Sequence, residues 1–469
     1  MSDLSVSSTD MTAPPRPPAG APRPYHFPHF ETRILSNGLR LVVAPMHAYP
    51  VVTILAVIEG GATRDPREAE GMAQLATRAL NEGTRHMTAL QLAQRLEMLG
   101  STLDTGADWD SAIVQLTALA SRVEDGFSVL AEVLCEPAFP ESELARLRSE
   151  RQSDLAQLRA EPRGLADVYF SRLIYRAESR FARLAGGDEE SIERVTRDRV
   201  VAYHQAYFRP NATALMIVGD ITADEAVRQV QRCLGAWSGT APAVQEPLDA
   251  PRYAEARVHL VHKADAPQSE IRVGHVAVPR QHADYFPLVV MNAILGGLFS
   301  SRLNLNLREA HAYTYGAHSA FDWRRAASPF EMSTAVETAV TADAIREILA
   351  EVTRIREAPV TEAELSLAVS YLIGVFPIRF ESTAEVAGGL ANVEIFRLPT
   401  NYFDMYRERV AAVTVDDVLR VARTHLDPSR LQVVVCGDAV AIRESVEALG
   451  VGPVTVYDPS DLEAVAQPS

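Results

Sequence analysis

The chain has 469 residues, 47% of them hydrophobic and 23% charged, so it is long enough for more than one domain and apolar enough for a large core. Its formal net charge of −16 argues against binding to nucleic acid or to anionic lipid through a basic surface. The three cysteines, Cys135, Cys233 and Cys436, are far apart and odd in number, which predicts free thiols.

The N-terminal segment, residues 1–28, is rich in Ser, Thr, Ala and Pro, and we predict a disordered leader there. It has no apolar stretch of the kind found in signal peptides. Elsewhere, no uninterrupted apolar run approaches the ~18 residues of a membrane span. We therefore expect no membrane span and a cytoplasmic location, with the periplasm as the less favoured compartment.

The two halves of the remaining chain show the same order of predicted elements. Short β-branched runs predict strands at 40–44, 51–58, 258–262 and 271–278. Long helical patterns follow in each half, at 89–99, 141–159 and 342–356. Strands followed by helices predict an α+β fold in each half. The boundaries that we predict are a domain at 29–238, a Pro-containing linker at 239–254, a second domain at 255–460 and a tail at 461–469.

The segment after the second predicted strand, residues 59–84, reads EGGATRDPREAEGMAQLATRALNEGT. It resembles the M16 peptidase family of pitrilysin-like and insulinase-like zinc metalloendopeptidases. In that family a helix begins Gly-x-Ala, continues as His-x-x-Glu-His and ends at Gly-Thr. The residues that match the frame around this motif are Gly61, Arg64, Gly71, Ala73, Gly83 and Thr84. The resemblance extends over nearly all of the chain after the leader.

The resemblance implies a zinc-binding helix, but the ligands are absent. Positions i, i+3 and i+4 share one face of a helix, so two His there can bind one zinc while the Glu activates its water. This chain has Gln74, Thr77 and Arg78 at those positions. The third family ligand, a Glu on a later helix, corresponds to Asp154. We therefore predict no metal or other cofactor in this chain. We expect an Arg78–Asp154 ion pair in the vacated pocket, and the alternative is a solvated helix face.

An internal repeat relates the two halves. Residues 195–220 and 413–438 align without a gap at a constant offset of 218. Identical pairs include Val195 and Val413, Thr196 and Thr414, Asp198 and Asp416, Pro210 and Pro428, Gly219 and Gly437, and Asp220 and Asp438. Both copies predict a Thr-capped amphipathic helix, a Pro turn and a strand closed by Gly-Asp. We infer that the halves arose by duplication.

The second half contains NAILGGLFSSRLNLNLREAHAYTYGAHS, residues 292–319, which resembles the block that carries the family's substrate-contacting Arg and Tyr. In the family these two residues, seven apart, hold the substrate backbone and help stabilise the tetrahedral intermediate. Arg308 and Tyr315 match by type and spacing. An Arg supplies a fixed charge and a Tyr a neutral donor for a developing oxyanion. One departure is Ala312-Tyr313, where the family usually has Gly-Leu; it could alter the turn that presents Tyr315, and Tyr313 could compete as donor.

The family resemblance implies two homologous LuxS/metallohydrolase-like domains, each a mainly antiparallel sheet with helices packed on it, which together form half a clamshell. Some members of the family are heterodimers in which one subunit has lost the zinc helix and kept the Arg and Tyr. This chain has that pattern. We therefore interpret it as the non-catalytic, substrate-binding subunit of a heterodimeric zinc metallopeptidase, without activity when alone. Zinc is then expected in a partner with an intact His-x-x-Glu-His, and the substrate is a peptide or a small unfolded polypeptide.

Two other functional classes stay open. The first is a purely structural subunit of the same fold, like the core proteins of a respiratory complex, without any role in proteolysis. The second is an enzyme with a different site, for example one built on His311 and His318 beside Arg308. The sequence offers no third ligand and no convincing nucleophile for the second alternative.

Overall fold

A computed structural model describes residues 23–244 and 249–459. It contains two six-stranded sheets, with helices packed on both. The strands are β1 Glu31–Ile34, β2 Arg40–Pro45, β3 Val51–Ile58, β4 Thr102–Ala107, β5 Ala112–Leu119, β6 Thr213–Gly219, β7 Arg257–His262, β8 Gln268–Val276, β9 Ala317–Phe321, β10 Pro329–Glu337, β11 Gln432–Gly437 and β12 Val454–Tyr457. The helices of the first half are α1 Met72–Arg78, α2 Ala89–Leu99, α3 Val123–Cys135, α4 Glu141–Ala160, α5 Pro162–Ile174, α6 Glu189–Glu193, α7 Arg197–Tyr207 and α8 Ala223–Leu234. Those of the second half are α9 Tyr285–Asn292, α10 Arg302–Asn304, α11 Thr341–Glu357, α12 Glu362–Ile378, α13 Thr383–Ile395, α14 Tyr402–Ala411, α15 Val415–His425 and α16 Ala439–Glu447.

The two sheets share one topology. The first has the order β1-β2-β6-β3-β5-β4 and the second β12-β7-β11-β8-β10-β9, so five strands correspond one to one. Only the outer edge differs, where β1 pairs antiparallel with β2 but β12 pairs parallel with β7. Most neighbours are antiparallel, with further parallel pairs at β2–β6 and β7–β11. This confirms the predicted α+β class with mainly antiparallel sheets.

The sequence repeat lies on equivalent structure in both halves. Its first copy forms α7 and β6, and its second copy forms α15 and β11. Thr196 and Thr414 both cap their helices, each accepting a hydrogen bond from the backbone N–H three residues later. Both strands are fully buried near the middle of their sheets. The identical Thr, Pro and Gly therefore fall on the cap, the turn and the strand end, where local backbone geometry is most restrictive.

Each sheet is covered on one face by a helix from the opposite half. The helix α5 packs on β8 and β11 of the second sheet, and α13 packs on β3 and β6 of the first. A buried hydrogen bond of 2.8 Å joins the hydroxyls of Thr53 on β3 and Thr383 on α13. Phe170 of α5 lies over Gly274 of β8, where an added Cβ would be 2.8 Å from the ring. The two halves consequently share parts of their cores.

The predicted leader and linker are described only in part. Residues 1–22 and 245–248, and the predicted tail, lie outside the described residues. Residues 23–28 contact the second half, where Phe27 is buried and stacks on Phe403 at a centroid distance of 3.9 Å. This part of the predicted leader therefore belongs to the folded chain.

One described helical run, Tyr285–Ala310, is long and apolar enough to span a membrane by length and composition alone. The bent pair Thr338–Glu357 and Glu362–Ile378 passes the same test when counted as one span. The most apolar window of Tyr285–Ala310 is 56% buried inside the protein, as core helices commonly are.

Candidate functional site

The helix that would carry a zinc motif, α1, is held in place by its N-terminal frame. Gly71 has φ of +91°, and an added Cβ would lie 2.5 Å from the carbonyl oxygen of Gly186. The carboxylate of Asp65 accepts hydrogen bonds of 2.8 Å from the backbone N–H groups of Gly71 and Ala73. This carboxylate is paired with Arg180 at 3.2 Å. The frame residues therefore fix the start of α1 although the ligands are gone.

The three side chains at the ligand positions are engaged with protein groups. Gln74 donates from Nε2 to the carbonyl oxygen of Ala107 at the end of β4, at 3.3 Å. Thr77 is fully buried, and its hydroxyl donates to the carbonyl oxygen of Ala73 at 2.7 Å. Arg78 is exposed and forms an ion pair of 3.1 Å with Glu150 of α4. None of the three is a good zinc ligand, and Thr77 cannot act as a general base.

A second arginine lies beside this helix face. Arg151 of α4 donates to the carbonyl oxygens of Gly186 at 3.0 Å and Gly187 at 3.2 Å. Gln74 Oε1 and Arg151 Nη2 both lie within 3 Å of the point that a Cβ on Gly186 would occupy. Burial lowers the pKa of Arg151, while the carboxylates of Asp154 and Glu189 oppose this effect. Together with Arg78, this guanidinium makes the face repulsive to a divalent cation.

The expected ion pair between Arg78 and Asp154 is wrong. Arg78 pairs with Glu150, one turn earlier on α4, and Asp154 is exposed. Glu150 also contacts Arg146, which forms further ion pairs with Glu82 and Glu143. This network holds Glu150 close to α1, so Arg78 finds its partner there. The arginines of α4 are visible in the sequence, but their partners depend on how α4 lies against α1.

A different cluster contains the metal-binding types of side chain. Within residues 23–244 and 249–459, the one grouping of three His, Cys, Asp or Glu side chains with converging ligand atoms is His282, Asp284 and His425. Asp284 accepts hydrogen bonds from His425 at 2.7 Å and from Arg420 at 2.9 Å. Burial raises the pKa of Asp284, but these two partners outweigh it, so the pKa is lowered overall. Because Arg420 already neutralises the carboxylate, the cluster is best described as an ion-pair network joining α9 to α15.

Arg308 and Tyr315 line one cavity of about 370 Å³ at the surface of the second half. The guanidinium of Arg308 lies 4.4 Å from the ring centroid of Phe299, and its Nε is 3.6 Å from Glu309 Oε1. Tyr315 is 96% exposed. It also lines an adjoining cavity of about 350 Å³ together with Arg163 and Arg272. The two predicted site residues are therefore brought together, and the contact with Phe299 is a feature that the sequence analysis missed.

The turn before Tyr315 keeps an unusual backbone conformation. Ala312 has φ of +54°, in the left-handed region that favours glycine. Tyr313 donates its backbone N–H to the carbonyl oxygen of Leu307 at 2.8 Å and stacks on His311 with ring centroids 5.0 Å apart. Its side chain lines the same cavity as Arg308 and Tyr315. The turn thus forms without the glycine, and Tyr313 adds a second tyrosine to the lining of this cavity.

His311 and His318 face different neighbours. His318 lines the cavity that adjoins Tyr315, whereas His311 Nε2 lies 3.9 Å from Glu347 Oε2. In the described part of the chain they do not share a cluster of potential metal ligands. The geometry gives no support to an enzyme centred on these two histidines.

Comparison with known proteins agrees with the fold and identifies the family. Residues 41–186 match the family described as "Insulinase (Peptidase family M16)", and residues 194–372 match "Peptidase M16 inactive domain". The chain belongs to the M16 peptidase family. With Gln74, Thr77 and Arg78 in place of the family's ligands, it is a non-catalytic member.

The relatives include both peptidase and non-peptidase members. A protein of Helicobacter pylori described as "Non-peptidase homolog YmxG" is 23% identical over 385 residues, which is 81% of this chain and 88% of that protein. A probable mitochondrial-processing peptidase subunit beta of Schizosaccharomyces pombe is 25% identical over 277 residues, covering 57% and 59%. The crystal structure of a peptidase M16 inactive domain from Pseudomonas fluorescens superimposes with a TM-score of 0.81 at 24% identity, covering 87% of this chain and 98% of that one. The structural likeness supports the fold.

Proposed function

We propose that this chain is the substrate-binding subunit of a heterodimeric M16-type zinc metallopeptidase. In this proposal it supplies Arg308 and Tyr315 in trans to a partner that carries an intact His-x-x-Glu-His helix. The observation that carries the proposal is the contrast between the two halves: the metal-site face is occupied by Gln74, Thr77 and Arg78, whereas Arg308 and Tyr315 line one open cavity.

The geometry at Arg308 fits a role in binding a peptide carbonyl. Its guanidinium is half-buried and rests on Phe299, and this contact positions the charge beside the cavity. The nearest carboxylate, Glu309, is 3.6 Å from Nε, longer than a good hydrogen bond. N–H donors therefore stay available for a substrate oxygen.

Tyr315 fits a site that a second chain completes. A tyrosine that is 96% exposed at the junction of two cavities gains little from the fold of its own chain. Exposed aromatic and arginine side chains are common at binding sites and interfaces, because they bury a large area and keep a polar end. The hydroxyl can donate to the same developing charge as Arg308 once a substrate bridges the two chains.

The zinc that activates water belongs to the partner in this proposal. Arg308 and Tyr315 then hold the substrate backbone and stabilise negative charge on its carbonyl oxygen, which are roles that need no metal in this chain. The substrate class is a peptide or a small unfolded polypeptide. The heterodimer buries a large area because both chains contribute walls of the chamber.

The proposal is tested by mixing the purified chain with an M16 chain of the same organism that retains His-x-x-Glu-His. We expect a one-to-one complex by native mass spectrometry, and peptide cleavage in the mixture that exceeds that of either chain alone. Chelator-sensitive cleavage by this chain alone would contradict the proposal. A complex whose cleavage rate equals that of the partner alone would favour the structural alternative.

A further inference from the structure

A cavity of about 230 Å³ lies in the second half between α9, α12, α13 and α14, away from Arg308 and Tyr315. Its walls are mainly aromatic, and they include Tyr285, Trp323, Phe376, Phe396, Tyr402 and Tyr406. A known engineered cavity of about 150 Å³ in another protein holds benzene, so this one has room for a single ring with a short substituent.

A buried cation lines this aromatic cavity. Arg280 is only 7% exposed, and its guanidinium lies 3.4 Å from the ring centroid of Tyr285 and 5.1 Å from that of Tyr402. Its Nη2 donates to the Tyr402 hydroxyl at 2.7 Å. Among residues 23–244 and 249–459, no carboxylate lies within 4.0 Å of this guanidinium, unlike Arg180 and Arg272, which are equally buried but ion-paired.

The tyrosines around Arg280 do not supply the missing negative charge. Burial raises the pKa of Tyr402 far above its usual range and raises that of Tyr406 to about 12. Both hydroxyls are therefore neutral at physiological pH. Stacking on Tyr285 offsets part of the desolvation of the guanidinium, but an arginine this deeply buried is normally paired with an anion. The N–H donors that Tyr402 does not use are suited to a carboxylate.

The cavity is kept open by a glycine. A Cβ added at Gly389 of α13 would lie 2.7 Å from Phe380 Cε1 and 3.1 Å from Phe403 Cζ, two rings that also line the cavity. Arg379 and Asn392, both exposed, line it as well and mark its opening to solvent. A cation at the mouth favours the entry of an anion over that of a neutral ligand.

From this geometry we infer that the cavity is a binding site for a small monocarboxylate with an apolar body about the size of one aromatic ring. The carboxylate pairs with Arg280 and the apolar body lies among the aromatic rings. The inference is independent of the proposed role in peptide hydrolysis, because it uses no residue of that site.

The probe for this site is phenylacetate, compared with phenylacetamide, which has the same shape but no charge. Binding is measured by calorimetry and by the fluorescence of Trp323, which lines the cavity. We expect saturable binding of phenylacetate that is at least about tenfold tighter than that of the amide. Inorganic phosphate should not displace it, because an anion without an apolar body leaves the aromatic walls unfilled.

Three variants separate this site from nonspecific binding. Arg280→Met should abolish the preference for the acid over the amide. Gly389→Ala should weaken the binding of both ligands, because the added methyl group narrows the cavity. This variant keeps the test valid if Arg280→Met fails to fold. Arg443→Met, which removes an exposed arginine of α16, should leave binding unchanged. The inference is overturned by equal affinity for the acid and the amide, by no saturable binding of phenylacetate up to about 10 mM, or by unchanged binding in folded Arg280→Met and Gly389→Ala.

Discussion

The side chains on the face of α1 show how a metal site is lost while its frame stays. Gly71 and Asp65 still fix the helix start, and Gln74 and Arg78 have taken protein partners. The sequence was sufficient to identify the missing ligands, because the family resemblance fixes their positions and helical spacing places i, i+3 and i+4 on one face. It was not sufficient to predict the partner of Arg78. Glu150 and Asp154 are one turn apart on α4, and the choice between them depends on side-chain packing between helices.

The strained turn before Tyr315 leads to the first prediction. Ala312 has φ of +54°, a conformation that disfavours any side chain with a Cβ. Ala312→Gly should therefore raise the free energy of unfolding by about 0.5–1 kcal/mol, measured by chemical denaturation. The matched control is Ala156→Gly at an exposed position within α4, where the same change should destabilise by about 1 kcal/mol. Destabilisation by both substitutions would refute the strain at Ala312.

A half-buried carboxyl on the second sheet, that of Glu331 on β10, leads to the second prediction. Burial raises the pKa of Glu331 to about 7, against an ordinary value of 4.5, although Arg272 at 3.3 Å opposes this. Between about pH 4.5 and about pH 7, the Glu331 carboxyl is therefore protonated in the folded state and ionised in the unfolded state. The stabilisation from this proton is complete below about pH 4.5 and is lost as the pH rises through about 7.

The side-chain amide of Glu331→Gln cannot ionise, so this variant should not lose the stabilisation as the pH rises. Between about pH 5 and about pH 8, the wild-type chain should lose on the order of 1 kcal/mol more unfolding free energy than the variant. The measurement is urea denaturation at both pH values. Parallel pH profiles for the two proteins would show that Glu331 does not carry the proton.

At the scale of helices and strands, the exchange of α5 and α13 ties the two halves together. The bounds of predicted elements agree closely with the structure: 89–99 is α2, 141–159 is α4 without its last residue, and 342–356 is α11 without one residue at each end. The exchange itself was not predicted. An amphipathic pattern tells which face of a helix is buried but not which sheet covers it. The predicted domain at 29–238 therefore includes α5, although this helix packs on the sheet of the second half.

This exchange leads to the third prediction. On the first sheet, Val42, Leu55 and Met216 face the shared core, while Leu41 and Ile54 face the helices of their own half. A fragment of residues 29–238 would expose the face that α13 covers. We expect it to aggregate or to bind a dye for exposed apolar surface, without the cooperative thermal unfolding of the intact chain. A monomeric fragment with a sharp unfolding transition near that of the whole chain would contradict shared stabilisation.

At the scale of the whole molecule, the two halves have one topology but differ in which of the family's site residues they keep. The first has lost its metal ligands, and the second retains Arg308 and Tyr315 in an open cavity. The duplication and the family could be recognised from sequence, because caps, turns and the spacing of site residues are local. The surface that would meet the proposed partner could not be recognised, because it depends on a second chain.

The most direct test of the central claim is the rate of peptide cleavage by the proposed complex of this chain with a zinc-bearing M16 chain. Arg308→Ala in this chain should lower kcat by about 100-fold, in line with the loss of one donor to a developing oxyanion, while the complex still assembles. Arg443→Ala, at an exposed arginine far along the chain on α16, is the matched control and should leave kcat unchanged. A fully assembled Arg308→Ala complex with the wild-type kcat would contradict a role for this chain in catalysis in trans.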